Sequence, residues 1–160
     1  MSSKKINMKY PLLALVVTLF LACDNNSNGN RSVDYKIQNE QEITTYINEK
    51  NLTAQKSDSG LYYVINEEGT GDQPSSNSNV TVAYKGSFIN GSVFDESNSD
   101  GISFNLQQVI KGWTEGITYF KEGGSGVLLV PAHLGYGNND TRGIPGGSVL
   151  IFEIKLISVN

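Results

Sequence analysis

The chain has 160 residues, with 12 lysines and arginines against 16 aspartates and glutamates, so its formal net charge is −4. This length corresponds to one domain, and a pI near 4.9 without a cationic cluster excludes electrostatic binding of nucleic acid. One cysteine excludes an intramolecular disulfide and a cysteine-rich zinc site. One histidine, His133, excludes a multi-histidine metal centre and leaves no spare imidazole for triad chemistry.

The N-terminal 22 residues have the pattern of a secretory signal. Three lysines precede an apolar run over residues 11–22, which is too short to span a bilayer of about 30 Å as a helix. Cys23 follows directly and is itself followed by polar residues, so a buried free thiol is the weaker interpretation. The pattern resembles a bacterial lipoprotein signal, in which this cysteine is lipidated. Either Met1 or Met8 could start the chain.

We therefore expect residues 1–22 to be a signal peptide and Cys23 to carry a lipid anchor. The anchor would hold the protein in the inner or outer membrane of the cell envelope, with its domain facing the periplasm or the exterior. Residues 23–33 are mostly Asn, Ser and Gly, a composition typical of a flexible tether. Residues 34–56 form an N-terminal helical extension: Ile37, Ile43, Tyr46 and Ile47 have helical spacing and predict an amphipathic helix ending near Asn51.

Most of the remaining chain has the composition of strands. Five runs rich in β-branched and aromatic residues are bounded by Gly, Asn or Pro: residues 61–65, 80–89, 102–106, 127–130 and 149–159. Asn90-Gly91 is a hairpin-turn signal. Between the third and fourth runs, Trp113, Ile117 and Phe120 lie on one face of a predicted helix over 109–121, which Gly123-Gly124 would end. The pattern predicts an α+β domain with an antiparallel sheet wrapped around a short central helix.

Six short segments occur in an order and spacing that resemble the signature of FKBP-type peptidyl-prolyl cis-trans isomerases. They are Val82–Gly86, Val93–Ser97, Gln108–Trp113, Gly135–Gly137, Gly143–Pro145 and Leu150–Glu153. The resemblance covers residues 57–160 and implies an FKBP-like five-stranded sheet around a central helix. With its helix and lipoprotein-like start, the chain is also similar to FKBP-type lipoproteins of gliding and related Gram-negative bacteria.

The resemblance implies an aromatic proline pocket. Its walls would be formed by Tyr84, Phe94, Trp113 and Phe152, with Trp113 as the floor and Val109 and Ile110 continuing the lining. Taken alone, Trp113 and Phe152 are more often plain core residues, as Phe104 is expected to be. Their joint occurrence in the six segments favours the functional interpretation.

The resemblance also implies the polar groups of the pocket. The Tyr136 hydroxyl and the Ile110 N–H would bind substrate carbonyls, Asp95 would place a carboxylate near the carbonyl carbon and anchor Tyr84, and Ile144 would close one side. Taken alone, Asp95 is more often a turn or surface carboxylate. Two features depart from the family pattern: Ile102 stands where an aromatic residue is common, and the loop over residues 138–147 differs in length and sequence.

The predicted activity is acceleration of X-Pro rotation in exported proteins. This rotation requires no proton transfer, metal or nucleophile, so we expect no cofactor. The expected ligands are proline-containing polypeptides and macrolide inhibitors of the FKBP type, with a lipid anchor in the membrane and no nucleic acid. The alternative, from another class, is an FKBP-like binding or chaperone module with weak catalysis.

Overall fold

Seven strands form one antiparallel sheet in the computed structural model, which describes residues 34–160 of the chain. The strands are β1 (Gln55–Lys56), β2 (Tyr62–Glu67), β3 (Asn79–Phe88), β4 (Val93–Glu96), β5 (Ile102–Asn105), β6 (Ser125–Val130) and β7 (Leu150–Val159). Helix α1 (Lys36–Glu49) precedes the sheet, and helix α2 (Lys111–Gly116) lies between β5 and β6. All five predicted strands are present, β1 and β4 add to them, and the α+β class is confirmed.

The strand order is β1-β2-β6-β7-β3-β4, and β5 also pairs with β3. On one side, strand β3 pairs with β7 from Val80 to Phe88. On its other side, residues 79–82 of β3 pair with β5 and residues 85–87 pair with β4. The sheet therefore forks at Tyr84 on this side of β3, and the predicted hairpin turn at Asn90-Gly91 joins β3 to β4.

The two helices cover opposite faces of the sheet. Successive side chains of a strand point to opposite faces, and on β6 Leu128 belongs to the main core whereas Leu129 belongs to a second cluster. The main core contains Trp113 of α2, and the second cluster contains Ile43 of α1. Strand β6 and the first three residues of β7 are therefore covered on both faces.

Helix α1 ends close to the predicted position. Asn51, just beyond it, has a positive φ of 52°, a conformation that asparagine tolerates at helix ends. The burial of Ile43 is as predicted, but the placement of Ile37 on the packed face is wrong, since Ile37 is 76% exposed. The buried face is formed by Asn39 and Ile43, and a residue two positions before Asn39 lies on the far side of the helix.

The predicted helix over residues 109–121 is shorter and is interrupted. The α-helical part covers only Lys111–Gly116, a 3-10 turn follows over Ile117–Tyr119, and Phe120 is extended with φ −101° and ψ 155°. Trp113, Ile117 and Phe120 are all buried, as predicted. The role predicted for Gly123-Gly124 as the helix end is wrong, because their backbones instead exchange hydrogen bonds with Leu156 of β7.

The predicted signal segment, the tether and Cys23 lie outside the described residues. Across residues 34–160, neither helix has the length and apolar character needed to cross a membrane.

Candidate active site

Tyr84 stands at the fork of the sheet, where neither β4 nor β5 pairs with it. Its backbone groups are satisfied by one residue: the Tyr84 N–H donates to Ser97 Oγ at 3.0 Å, and the Ser97 N–H donates to the Tyr84 carbonyl at 3.0 Å. The Tyr84 ring meets the Trp113 indole edge to face, with centroids 5.0 Å apart. Ser97, to which the sequence assigned no role, therefore fixes the strand that carries Tyr84.

Trp113 forms the centre of an aromatic cluster between the sheet and α2. Its indole lies 5.2 Å from the Phe152 ring in an edge-to-face arrangement and 5.2 Å from the Phe104 ring. Phe94 meets Phe152 edge to face at 5.6 Å. These geometries are the favoured ones for aromatic pairs. Trp113 is 5% exposed, so it lies at the floor of this group, and its buried Nε1 has no hydrogen-bond partner among the described residues.

Gly86 permits the approach of two of these rings. A Cβ atom at this position would lie 2.7 Å from Phe94 Cζ and 3.0 Å from Phe152 Cε1, so a side chain here would force at least the Phe94 ring to shift. Glycine is favoured here because both phenyl rings pack over the backbone of β3. The residue is part of the segment Val82–Gly86, but its contact with the pocket walls was not predicted.

The Tyr84 hydroxyl donates a hydrogen bond of 2.7 Å to Asp95 Oδ2, as the resemblance implied. Burial raises the pKa of Tyr84 far above its usual value, and the bond to Asp95, with its negative charge, raises this pKa further. The phenol therefore stays neutral and remains a hydrogen-bond donor at physiological pH. Asp95 therefore contributes a carboxylate to the pocket edge, and one of its oxygens already accepts from the neutral Tyr84 hydroxyl.

Ile110 and Val109 pack against the same cluster, just before α2. Ile110 is the residue that precedes the helix, with extended φ and ψ, and its carbonyl accepts from the N–H groups of Trp113 and Thr114. Its own N–H donates to no acceptor within residues 34–160. This amide is therefore available to a ligand carbonyl.

The remaining predicted residues lie on the segment between β6 and β7, which we call the pocket loop (residues 132–147). Ile144 is buried in the main core, and a reciprocal pair of backbone hydrogen bonds joins it to Thr141. Tyr136 is 38% exposed, and its hydroxyl lies near enough to Tyr84 to contribute to that residue's raised pKa. Seven of the nine predicted pocket residues belong to the main core or pack against it, Asp95 is bonded to one of them, and Tyr136 is linked to the group only through its effect on Tyr84.

Phe104 is less buried than predicted. Expected to be a plain core residue, it is only partly buried and packs its ring against Trp113. Ile102, which stands where the family commonly has an aromatic residue, is 47% exposed on β5. Within residues 34–160, no group of three or more His, Cys, Asp or Glu residues has a geometry that could hold a metal ion.

The arrangement suits binding of a small, rigid apolar ring. The aromatic side chains supply apolar contact, while the exposed Tyr136 and the unbonded Ile110 N–H offer polar groups to carbonyls that flank such a ring. Proline in a polypeptide is a rigid apolar ring flanked by carbonyls.

Known proteins are similar to this chain in sequence and in fold. The family model of the FKBP-type peptidyl-prolyl cis-trans isomerases matches residues 71–157. The FKBP-type peptidyl-prolyl cis-trans isomerase FkpA of Buchnera aphidicola (subsp. Schizaphis graminum) is 46% identical over 107 residues, which cover 65% of this chain and 42% of that protein. FkpA of Escherichia coli K12 is 43% identical over 105 residues, covering 64% and 39%.

Solved structures of related isomerases have the same fold. The crystal structure of Escherichia coli FkpA superposes with a TM-score of 0.71 at 36% identity, covering 79% of this chain and 60% of that one. A peptidyl-prolyl cis-trans isomerase from Pseudomonas syringae superposes with a TM-score of 0.69 at 29% identity, covering 80% and 97%. The chain spans less than half the length of the FkpA sequences it matches. Because the family model covers more than half of the chain and the same fold recurs in these structures, the chain belongs to the FKBP-type peptidyl-prolyl cis-trans isomerase family.

Proposed function

We propose that the chain is a peptidyl-prolyl cis-trans isomerase that accelerates rotation of X-Pro bonds in exported or periplasmic proteins. The observation that carries this proposal is the Trp113 floor, which the rings of Tyr84 and Phe152 meet edge to face while Asp95 holds the Tyr84 hydroxyl. The family membership of the chain supports the same activity.

The pocket needs to supply only a modest part of the rotation barrier. Rotation about an X-Pro bond faces a barrier of ~18–20 kcal/mol. Each ~1.36 kcal/mol removed from the barrier gives a tenfold rate, so a 10⁴-fold acceleration requires about 5.5 kcal/mol of differential binding. A twisted amide has lost resonance and has a less polar carbonyl, so an apolar cleft favours it over the planar amide that water solvates well.

Each pocket residue has a role in this scheme. Phe94, Trp113 and Phe152 hold the proline ring, and Val109 and Ile144 complete the apolar lining. The Tyr136 hydroxyl and the free Ile110 N–H bind the carbonyls on either side of the ring. Asp95, fixed by Tyr84, places its negative charge beside the rotating carbonyl carbon. We propose the same pocket as the site for FKBP-type macrolide inhibitors, which present a comparable apolar ring.

A protease-coupled assay on a proline-containing tetrapeptide tests the activity. We expect single-exponential acceleration of the cis-to-trans phase, proportional to protein concentration in the micromolar range. No acceleration by folded protein would refute the enzyme and leave the alternative, an FKBP-like module that binds or chaperones unfolded chains. That alternative predicts suppressed aggregation of an unfolded, proline-free client, a result that the small pocket does not explain.

We further propose that the protein is lipidated at Cys23 and held at a membrane of the cell envelope, with its domain facing the periplasm or the exterior. The support is the order of a lysine-containing start, a short apolar run and a single cysteine followed by a polar tract. Cys23→Ser should release the protein from the membrane fraction and abolish incorporation of labelled palmitate. Ser27→Ala, in the same tract, is the matched control and should change neither; continued membrane partition of Cys23→Ser would disprove the anchor.

A further inference from the structure

Asn39 of helix α1 is buried, although it is far from the pocket in sequence. It is 1% exposed, and among the residues that the structure describes it is the one polar or charged side chain in the buried class. A buried amide is costly unless its donors and acceptor are all satisfied. The partners of Asn39 therefore show what this position does.

The Asn39 amide bridges the two ends of the pocket loop. Its Oδ1 accepts from the Ala132 N–H at 2.8 Å, and its Nδ2 donates to the Gly147 carbonyl at 2.8 Å. A backbone N–H can only donate and a carbonyl can only accept, so these two partners fix the orientation of the amide. Nδ2 also donates to Glu42 Oε2 at 3.2 Å, which orients the side chain from its own helix.

Tyr35 strengthens the attachment at one of these ends. The ring of Tyr35, the residue before α1, lies against Gly147, where an added Cβ would approach within 2.4 Å of the ring. Gly147 has a φ of +80°, so both its conformation and this contact require glycine. Tyr35, which directly precedes the helix that carries Asn39, therefore contacts Gly147 independently of the Asn39 hydrogen bond.

Two backbone hydrogen bonds within the pocket loop connect its two ends through Gly137. The Gly137 N–H donates to the Ala132 carbonyl at 2.8 Å, and the Gly147 N–H donates to the Gly137 carbonyl at 3.0 Å. Tyr136 stands next to Gly137, and Ile144 lies three residues before Gly147. A chain of hydrogen bonds thus runs from Asn39 through Ala132 and Gly147 to the backbone that carries both pocket residues.

We propose that Asn39 is a positioning residue that holds the pocket loop, and with it the Tyr136 hydroxyl, in its substrate-binding position from the opposite face of the sheet. This inference rests on the proposed isomerase function. It assigns α1 a role in the site, beyond covering the second apolar cluster.

Amide hydrogen exchange tests the attachment without requiring activity. Asn39→Ala should raise the exchange rates of the Gly137, Ile144 and Gly147 amides about tenfold or more, because one hydrogen-bonded clamp is lost. Ile43→Ala is the matched control: it lies one turn further along the same buried face but contacts the second cluster rather than the loop. It should lower the urea midpoint and leave the ratio of loop to core exchange unchanged.

Asn39→Asp should restore protection of the pocket loop in a pH-dependent way, which a residue that only fills space would not do. A protonated carboxyl can donate to the Gly147 carbonyl and accept from the Ala132 N–H, although it lacks the second donor that the amide directs to Glu42, whereas a carboxylate has acceptors only. Loop protection should therefore be restored near pH 4 and lost near pH 8. Glu42 contacts position 39, and a surface cavity beside Asn39 is also lined by the titratable or charged residues Asp34, Tyr35, Lys36 and His133. The variant is therefore compared with the unchanged chain at each pH.

In the tetrapeptide assay, Asn39→Ala should lower kcat/KM about tenfold, whereas Ile43→Ala should stay within about twofold of the unchanged chain. Unchanged loop exchange in Asn39→Ala, or equal losses of kcat/KM in both variants, would overturn the proposal. Absence of activity in the unchanged chain would refute the isomerase function instead, and the exchange experiment would still decide the role of Asn39.

Discussion

The Tyr84 hydroxyl donates a hydrogen bond of 2.7 Å to Asp95 Oδ2, and this bond joins the forked edge of β3 to β4 at the mouth of the pocket. Asp95→Leu removes both the charge beside the substrate carbonyl and the partner of Tyr84. We expect kcat/KM in the tetrapeptide assay to fall roughly 10- to 100-fold, since a hydrogen bond to a charged group contributes roughly 1.5–3 kcal/mol. The neighbouring Glu96→Gln is the control, and an equal loss there would show that Asp95 has no specific role.

Stability should fall at alkaline pH because tyrosines are held neutral in the fold. Burial, followed by the hydrogen bond to Glu115, raises the pKa of Tyr119 to about 12. The unfolded chain loses this proton near pH 10, so between about pH 10 and 12 the unfolded state binds fewer protons and the free energy of unfolding decreases as pH rises. Stability from this group is complete below pH 10.

Urea unfolding of Tyr119→Phe measures this contribution. Its midpoint should decrease less steeply than that of the unchanged chain between pH 9 and 11. Tyr84→Phe should behave in the same way, because the pKa of Tyr84 is also raised by burial and by Asp95. Parallel slopes in all three proteins would contradict the prediction.

The position of Phe94 in the pocket wall can be separated from its contribution to packing. Phe88→Leu and Phe94→Leu both disturb the ring contact of 5.0 Å between these residues, but only Phe94 also meets Phe152. We expect each variant to lose about 1 kcal/mol of stability. Only Phe94→Leu should lower kcat/KM and weaken binding of a macrolide inhibitor, measured by calorimetry; inhibitor affinities that fall equally would place Phe94 outside the pocket.

Gly86→Ala should disturb the pocket through one ring. The new methyl group would lie only 2.7 Å from Phe94 Cζ, so the Phe94 ring must move. We expect a stability loss of roughly 1–3 kcal/mol, typical of overpacking, and a lower kcat/KM. Adding Phe94→Leu should relieve the clash, so the double variant should be more stable than the sum of the single losses predicts. Strict additivity in urea unfolding would argue against this contact.

The long strands were predictable because most of their residues are β-branched, aromatic or otherwise apolar and are buried in the sheet. In β7 three consecutive buried apolar residues are followed by alternation of buried apolar residues with the exposed Glu153 and Lys155, and both patterns are typical of strands. The short strand β4 offers no comparable pattern, since only Phe94 of its four residues is even partly buried. Its pairing depends on the hairpin turn rather than on its own composition.

The aromatic residues of the site were identifiable from their segments, whereas the contacts that fix them were not. Asn39 reaches partners 93 and 108 residues away, and nothing in its local sequence distinguishes it from the exposed polar residues around it. Gly86 likewise shows its function only once Phe94 and Phe152 are placed over it. Long-range contacts of this kind depend on the assembled topology and leave no local periodicity.

The place of β7 in the sheet determines when the pocket can form. β7 lies between β6 and β3, although it comes last of the seven strands in the chain, and its pairing joins Val159 to Val80. Such distant pairings form slowly, because the loop they close must be ordered before they contribute. A nascent chain that has not yet released β7 has neither Phe152 nor a complete sheet, so the aromatic cluster around Trp113 can form only after the last strand has paired.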